Sequence, residues 1–131
     1  MSKSTTLTLN VLKENFIICR LPSSSSVPSW AFNGPFCSIT KTNDELSIIT
    51  IDSDQLPKDI QCERNWKCFK FLGPFSFDMT GVLTSILNPL AKADIGILAI
   101  STFDTDYVMV KDKHLDMAID VLKQNGHKVN M

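Results

Sequence analysis

His114 and His127 are the only histidines in the chain, 13 positions apart, and no nucleophile stands at a telling spacing from either. An enzyme is therefore not expected. The four cysteines, Cys19, Cys37, Cys62 and Cys68, contain no C-x-x-C pair, and the histidines lie far from most of them in sequence. Zinc-type ligand spacing is absent, so neither a metal nor a cofactor is expected. Gly73, Gly81 and Gly96 are too scattered for a phosphate-cradling loop. The thiols read as reduced and mostly buried small apolar groups. What remains is a short polar run, Asp78-Met79-Thr80-Gly81, ahead of an apolar stripe, and a turn flanked by Asp104 and Asp106. Taken alone, Asp78 or Thr80 would cap a helix, and the turn aspartates would bond their own backbone. Gly81, at a strand-to-helix junction, implies close backbone approach.

The 131 residues suit one ordinary domain or two small ones packed together. At 44% hydrophobic and 21% charged, the chain can bury a core. Its net charge of −1 offers no excess of cations for a row of phosphates. Nucleic acid and an anionic membrane surface are thus poor partners. No stretch reaches the roughly 18 apolar residues of a membrane span, and MSKSTTLTLN lacks a secretory apolar region. A cytoplasmic protein is expected.

In the second half, Trp66 to Phe71 reads as a strand that meets Gly73-Pro74. Val82, Leu83, Ile86, Leu87, Leu90 and Ala91 recur at three- and four-residue steps, which predicts a helix from about Gly81 to Ala93. Pro89 should kink or break it near Asn88. ILAIS reads as a short buried strand, TFDTD as a turn and YVMVK as the returning strand. Leu115, Ala118, Ile119 and Leu122 share one face of a second helix that stops at Gly126, and His127 to Met131 is one edge strand. This strand, helix, strand, strand, helix, strand order is the ferredoxin-like unit, an antiparallel sheet with both helices on one face.

The first half repeats it in degenerate form. Setting Ile39 on Ile100, an offset of 61, aligns ITKTNDELSIIT with ISTFDTDYVMVK. Where helices should follow, the first half has RLPSSSSVPSWA and SDQLPKDIQ, which favour loops with at most one helical turn. Their loss should leave one sheet face open. The fold class is therefore α+β, two tandem βαββαβ modules of which the first is degenerate, divided as 1–64 and 65–131. A unit of about 60 residues buries only about 60% of its chain surface, so each half should need the other.

GPFSFDMTGVLTSILNPLAKADIGILAISTFDTDYVMVKDKHLDMAIDVLKQNGH resembles an ACT domain, the small regulatory module that senses amino acids in metabolic enzymes. STFDTDYVMVKDKHL is similar to the sub-branch shared by aspartate kinase regulatory domains and a cytosolic arginine sensor. Joined to a first half containing WAFNGPFCSITKTNDELSII, it looks like the small stand-alone double-ACT proteins. In that family the ligand lies where the loop after the first strand meets the edge strand of a neighbouring module. The resemblance places Asp78 toward a ligand's amino group and gives Met79, Thr80, Gly81, Val82 and Leu83 as the loop. With no side chain at Gly81, the first-turn amides and the positive end of the helix dipole can face a carboxylate. Ile97 and Leu98 would offer backbone groups, and Asp106 matches the sensor's hairpin aspartate.

The expected function is a non-catalytic module that binds an amino acid or related small metabolite, acting as a homodimer or higher homo-oligomer. The alternative is a protein–protein interaction or assembly domain that binds no ligand.

Overall fold

The computed structural model describes residues 6–73 and 81–131. Among the described residues there are eight strands: β1 (Thr8–Val11), β2 (Phe16–Leu21), β3 (Ser38–Lys41), β4 (Leu46–Ile51), β5 (Gln61–Phe71), β6 (Ile97–Ser101), β7 (Asp106–Lys111) and β8 (Lys128–Asn130). The two α-helices are α1 (Val82–Lys92) and α2 (Leu115–Gln124). Contacts group the chain into two compact units, one made of Met1–Lys13 with Lys67–Met131 and the other of Glu14–Trp66. The unit holding both helices is thus built from two stretches of chain, rather than from residues 65–131 alone.

In the Glu14–Trp66 unit the strands lie in the order β3, β4, β2, β5, all antiparallel. Phe16 pairs with Trp66 but Ile18 pairs with Glu63, so β5 carries one extra residue here. Asn65 sits at φ 67 in this bulge, a conformation that asparagine tolerates better than most residues. The face expected to stand open is instead filled. A single 3-10 turn, Ser29–Phe32, lays Trp30 and Ala31 over Ile17, Cys19, Leu46 and Ile48, and Leu56 closes the cluster. One bulky indole does what a helix would do, because tryptophan brings about 150–250 Å² of coverable surface in one side chain.

In the other unit β7 lies between β6 and β5, while β1 pairs with β5 on one side and β8 on the other. The ferredoxin-like order is present with one strand added, and that strand runs parallel to β8. Leu7 and Leu9 enter the same core as Phe69, Phe71, Val108 and Val110. Both helices cover that one face, α1 through Val82, Ile86 and Leu90, and α2 through Leu115, Ala118, Ile119 and Leu122.

The expected break at Pro89 does not occur; α1 runs unbroken through it. A proline at this position has no N–H for the carbonyl of Ser85, four residues earlier. That carbonyl is met instead by His127 Nε2 at 3.1 Å. The helix therefore keeps its course with a side chain in place of the missing backbone donor. A second correction concerns β6, whose Ile97, Leu98 and Ile100 are half-buried while Ala99 and Ser101 are exposed. It pairs only with β7 among the described residues, so it is an edge strand rather than a buried one.

Candidate functional site

The site is assembled where β5 ends and the β6–β7 turn comes alongside. Thr102 N–H donates to Thr105 O at 2.8 Å, and the Thr102 hydroxyl donates to the same oxygen at 3.0 Å, which closes the turn tightly. Thr105, only 8% exposed, then donates its hydroxyl to Phe71 O at 2.8 Å. Leu72 N–H is held by Thr8 O at 2.9 Å. The turn and the strand end are thereby fixed to each other by backbone-directed bonds.

A cavity of about 370 Å³ opens at this junction, lined among others by Lys70, Phe71, Gly73, Thr102, Asp104 and Tyr107. That volume fits a small metabolite. Lys70 and Asp104 bring opposite charges to its wall, which is the polarity a zwitterion needs. Burial, then the neighbouring Cys68 and Asp104, raises the Tyr107 phenol above its ordinary range. Tyr107 therefore stays protonated near neutrality and can donate a hydrogen bond.

The expected site residues fall into three groups. Asp78, Met79 and Thr80 lie outside the described residues. Gly81, Val82 and Leu83 open α1, with Gly81 at φ 81 and ψ −5 and no side-chain cap on the helix among the described residues. A Cβ added at Gly81 would meet nothing within 4 Å among the described residues. Its left-handed backbone, not crowding, is what calls for glycine. Val82 turns its side chain into the core and Leu83 packs against the core's edge, so these two can offer a ligand only backbone amides. Ser85 N–H, bonded to Gly81 O at 2.9 Å, is the first donor satisfied within the helix.

Asp106 starts β7 opposite Ser101, whose hydroxyl donates to its carboxylate. Ile97 and Leu98 stand at the other end of that hairpin, opposite Val110 and Met109. Three or four residues of strand, roughly 10–13 Å, separate them from Ser101 beside Asp106. One chain does not bring them to the same point as Asp106.

Sequence reasoning missed Lys70, Thr102, Asp104 and Tyr107 as cavity residues. For Lys70 a signal existed: period two sets it on the face opposite Phe69 and Phe71. For Asp104 there was none, because a turn former and a cavity-lining carboxylate look the same in sequence.

Residues 61–124 match the family model of the ACT domain, and residues 14–59 match a second model, described as an N-terminal domain. The cytosolic arginine sensor for mTORC1 subunit 1 of Rattus norvegicus is 31% identical over 104 residues, covering 79% of this chain. The chain spans only 31% of that sensor's length. A crystal structure of protein Atu0741 from Agobacterium tumefaciens superposes with a TM-score of 0.89 at 42% identity, covering 95% of this chain and 92% of that one. The ligand-free regulatory subunit of aspartate kinase from Thermus thermophilus superposes at 0.61 over 94% of this chain and 99% of its own, with 11% identity. At that identity the likeness is one of fold.

Proposed function

The chain belongs to the ACT domain family, and on that premise we propose that it is a non-catalytic regulatory module that binds an amino acid or a closely related zwitterionic metabolite. The observation that carries this reading is the cavity of about 370 Å³ bordered by Lys70 and Asp104 beside the end of β5. A ligand carboxylate would have Lys70 in the cavity and, by family position, the start of α1. A ligand ammonium has Asp104 and, at the hairpin, Asp106. Asp78, Met79 and Thr80 belong to the same proposed loop by family position. Ile97 and Leu98 fit this reading as the contribution of a second copy, set edge to edge, and the proposed assembly is therefore a homodimer. Binding would shift an existing equilibrium between forms rather than create a new one. Among the described residues no helix is long and apolar enough to cross a membrane. A cytoplasmic location is part of the proposal.

A thermal-shift panel over the amino acids, run beside sedimentation, tests it. A ligand at 100 times its dissociation constant adds about 2.7 kcal/mol of stability. Lys70→Ala and Asp104→Asn should each reduce the shift while leaving the unliganded melting point nearly in place, since both side chains are at the surface of the cavity. If no amino acid moves the melting point of the wild type, the sensor reading is wrong.

A second reading, an assembly domain without a ligand, has one observation in its favour. Among the described residues β6 pairs along one edge only, with half-buried Ile97, Leu98 and Ile100, and Phe103 at the tip is 79% exposed. A dimer that forms equally well with and without every amino acid would favour it. The covered face of the Glu14–Trp66 unit counts against it, because Trp30, Ala31 and Leu56 already fill the surface that a partner would have needed.

A further inference from the structure

Of the four cysteines, the fold brings two into direct opposition. Cys19 on β2 and Cys62 on β5 are Cα partners in the antiparallel ladder, close enough that, after burial, Cys62 raises the Cys19 thiol's pKa. Directly opposed residues in such a ladder lie about 4.5–5.5 Å apart at Cα, inside the roughly 4.4–6.8 Å that a disulfide requires. The two differ in access. Cys19 is 1% exposed, whereas Cys62 is half-buried. Both line a cavity of about 230 Å³ whose other walls include Arg20, Ser47, Gln61 and Glu63. A small reagent can therefore reach Cys62 first.

We propose that Cys19 and Cys62 form an intramolecular disulfide by exchange with a small-molecule disulfide, which makes this strand pair a reversible oxidation site. In the first step the Cys62 thiolate attacks one sulfur of the reagent, forms a mixed disulfide and releases one thiolate of the reagent. In the second, the Cys19 thiolate attacks Cys62 Sγ, forms the internal S–S bond and expels the second reagent thiolate. Two protein thiols are oxidised, one reagent disulfide is reduced to two thiols, and the protein's two protons pass to solvent or to those thiols.

Burial first, then the neighbouring Cys62, pushes the Cys19 thiol up to about 12, against a lowering by Arg64. Cys19 is thus a poor nucleophile toward solution but stands directly opposite the residue whose sulfur it must attack. The second step is slow at neutrality and should quicken about tenfold per pH unit, because the thiolate fraction grows by that factor below the thiol's pKa.

The test uses the full chain carrying Cys37→Ser, which removes the other half-buried thiol, with oxidised glutathione as the reagent. Intact mass should show a species two hydrogens lighter, peptide mapping without reductant should join Cys19 to Cys62, and dithiothreitol should restore the starting mass. Cys19→Ser should instead keep one glutathione on Cys62, and Cys62→Ser should yield neither product. Circular dichroism of both serine variants checks that they fold. A glutathione adduct that persists on Cys62 with Cys19 intact would overturn the proposal. So would a joined pair that forms only in denaturant, or no reaction at Cys62.

Discussion

His127 is 5% exposed and satisfies two partners distant in sequence. Its Nδ1 accepts from Leu7 N–H at 3.1 Å, and its Nε2 meets Ser85 O at 3.1 Å. Because Nδ1 accepts, the hydrogen sits on Nε2, and the ring bridges the residue ahead of β1 to helix α1. His127→Ala should lower stability by about 2–6 kcal/mol, roughly 1–3 for each of the two groups left without a partner. Pro89→Ala gives the Ser85 carbonyl its own helical donor and removes an internal proline, so it should raise stability by about 1–3 kcal/mol. In that background the His127→Ala loss should shrink by about 0.5–3 kcal/mol, the range for residues that share a network. Urea denaturation of the four proteins measures the coupling, and strict additivity would refute the bridge. None of this was legible beforehand. Leu7 and Ser85 stand 120 and 42 positions from His127, and a residue one step past a glycine cap reads as an ordinary loop residue.

Among the elements, the helix stripes were legible because an apolar period near 3.6 has one physical cause, burial of one face. All four residues expected on the inner face of α2 are buried. The helix ends show why some stops are written more plainly than others. After α2, Gly126 at φ 88 donates to Lys123 O at 3.0 Å and His127 donates to Leu122 O at 3.1 Å. After α1 the same paired bonds recur, from Asp94 to Ala91 O and from Ile95 to Leu90 O, both at 3.0 Å. Here the left-handed position holds an aspartate at φ 61, so no glycine announces the stop. Asp94→Gly should therefore raise stability by about 0.5–1 kcal/mol, and Gly126→Ala should lower it by about 1 kcal/mol. Thermal melts decide both; an Asp94→Gly variant less stable than the parent would mean that the carboxylate matters more than the backbone. The apolar–polar alternation of Leu7, Thr8, Leu9, Asn10 and Val11 was equally a strand signal. It passed unread because a repeat unit of four strands offered no place for a fifth.

For the molecule as a whole, the internal repeat is visible in the β3–β4 and β6–β7 hairpins, which recur at the offset of 61. It did not give the insertion of β1 between β5 and β8, because local pattern carries no information about which distant strand accepts a neighbour. A chain lacking residues 1–13 should consequently lose the cooperative melting of the unit formed with residues 67–131. Leu9→Ala, which empties a side chain with 0% exposure, should cost about 2–5 kcal/mol. Calorimetry on both reads the outcome; a truncated chain that melts like the parent would show β1 to be dispensable. The cavity was not legible, for the same reason. Lys70 and Asp104 line one cavity because Thr105 fastens the turn to Phe71, and that meeting of distant segments leaves no local pattern.

The parallel ladder in which Thr8, Leu9 and Asn10 face Lys128, Val129 and Asn130 also sets a timetable. During synthesis those first residues leave the ribosome long before their partners exist, so the early strand must wait, solvated or borrowed by another surface, until residue 130 emerges. Pairing across so long a stretch of chain is intrinsically slow. Refolding of this unit should accordingly lag that of the Glu14–Trp66 unit, whose strand partners lie at most 50 positions apart (Phe16 to Trp66).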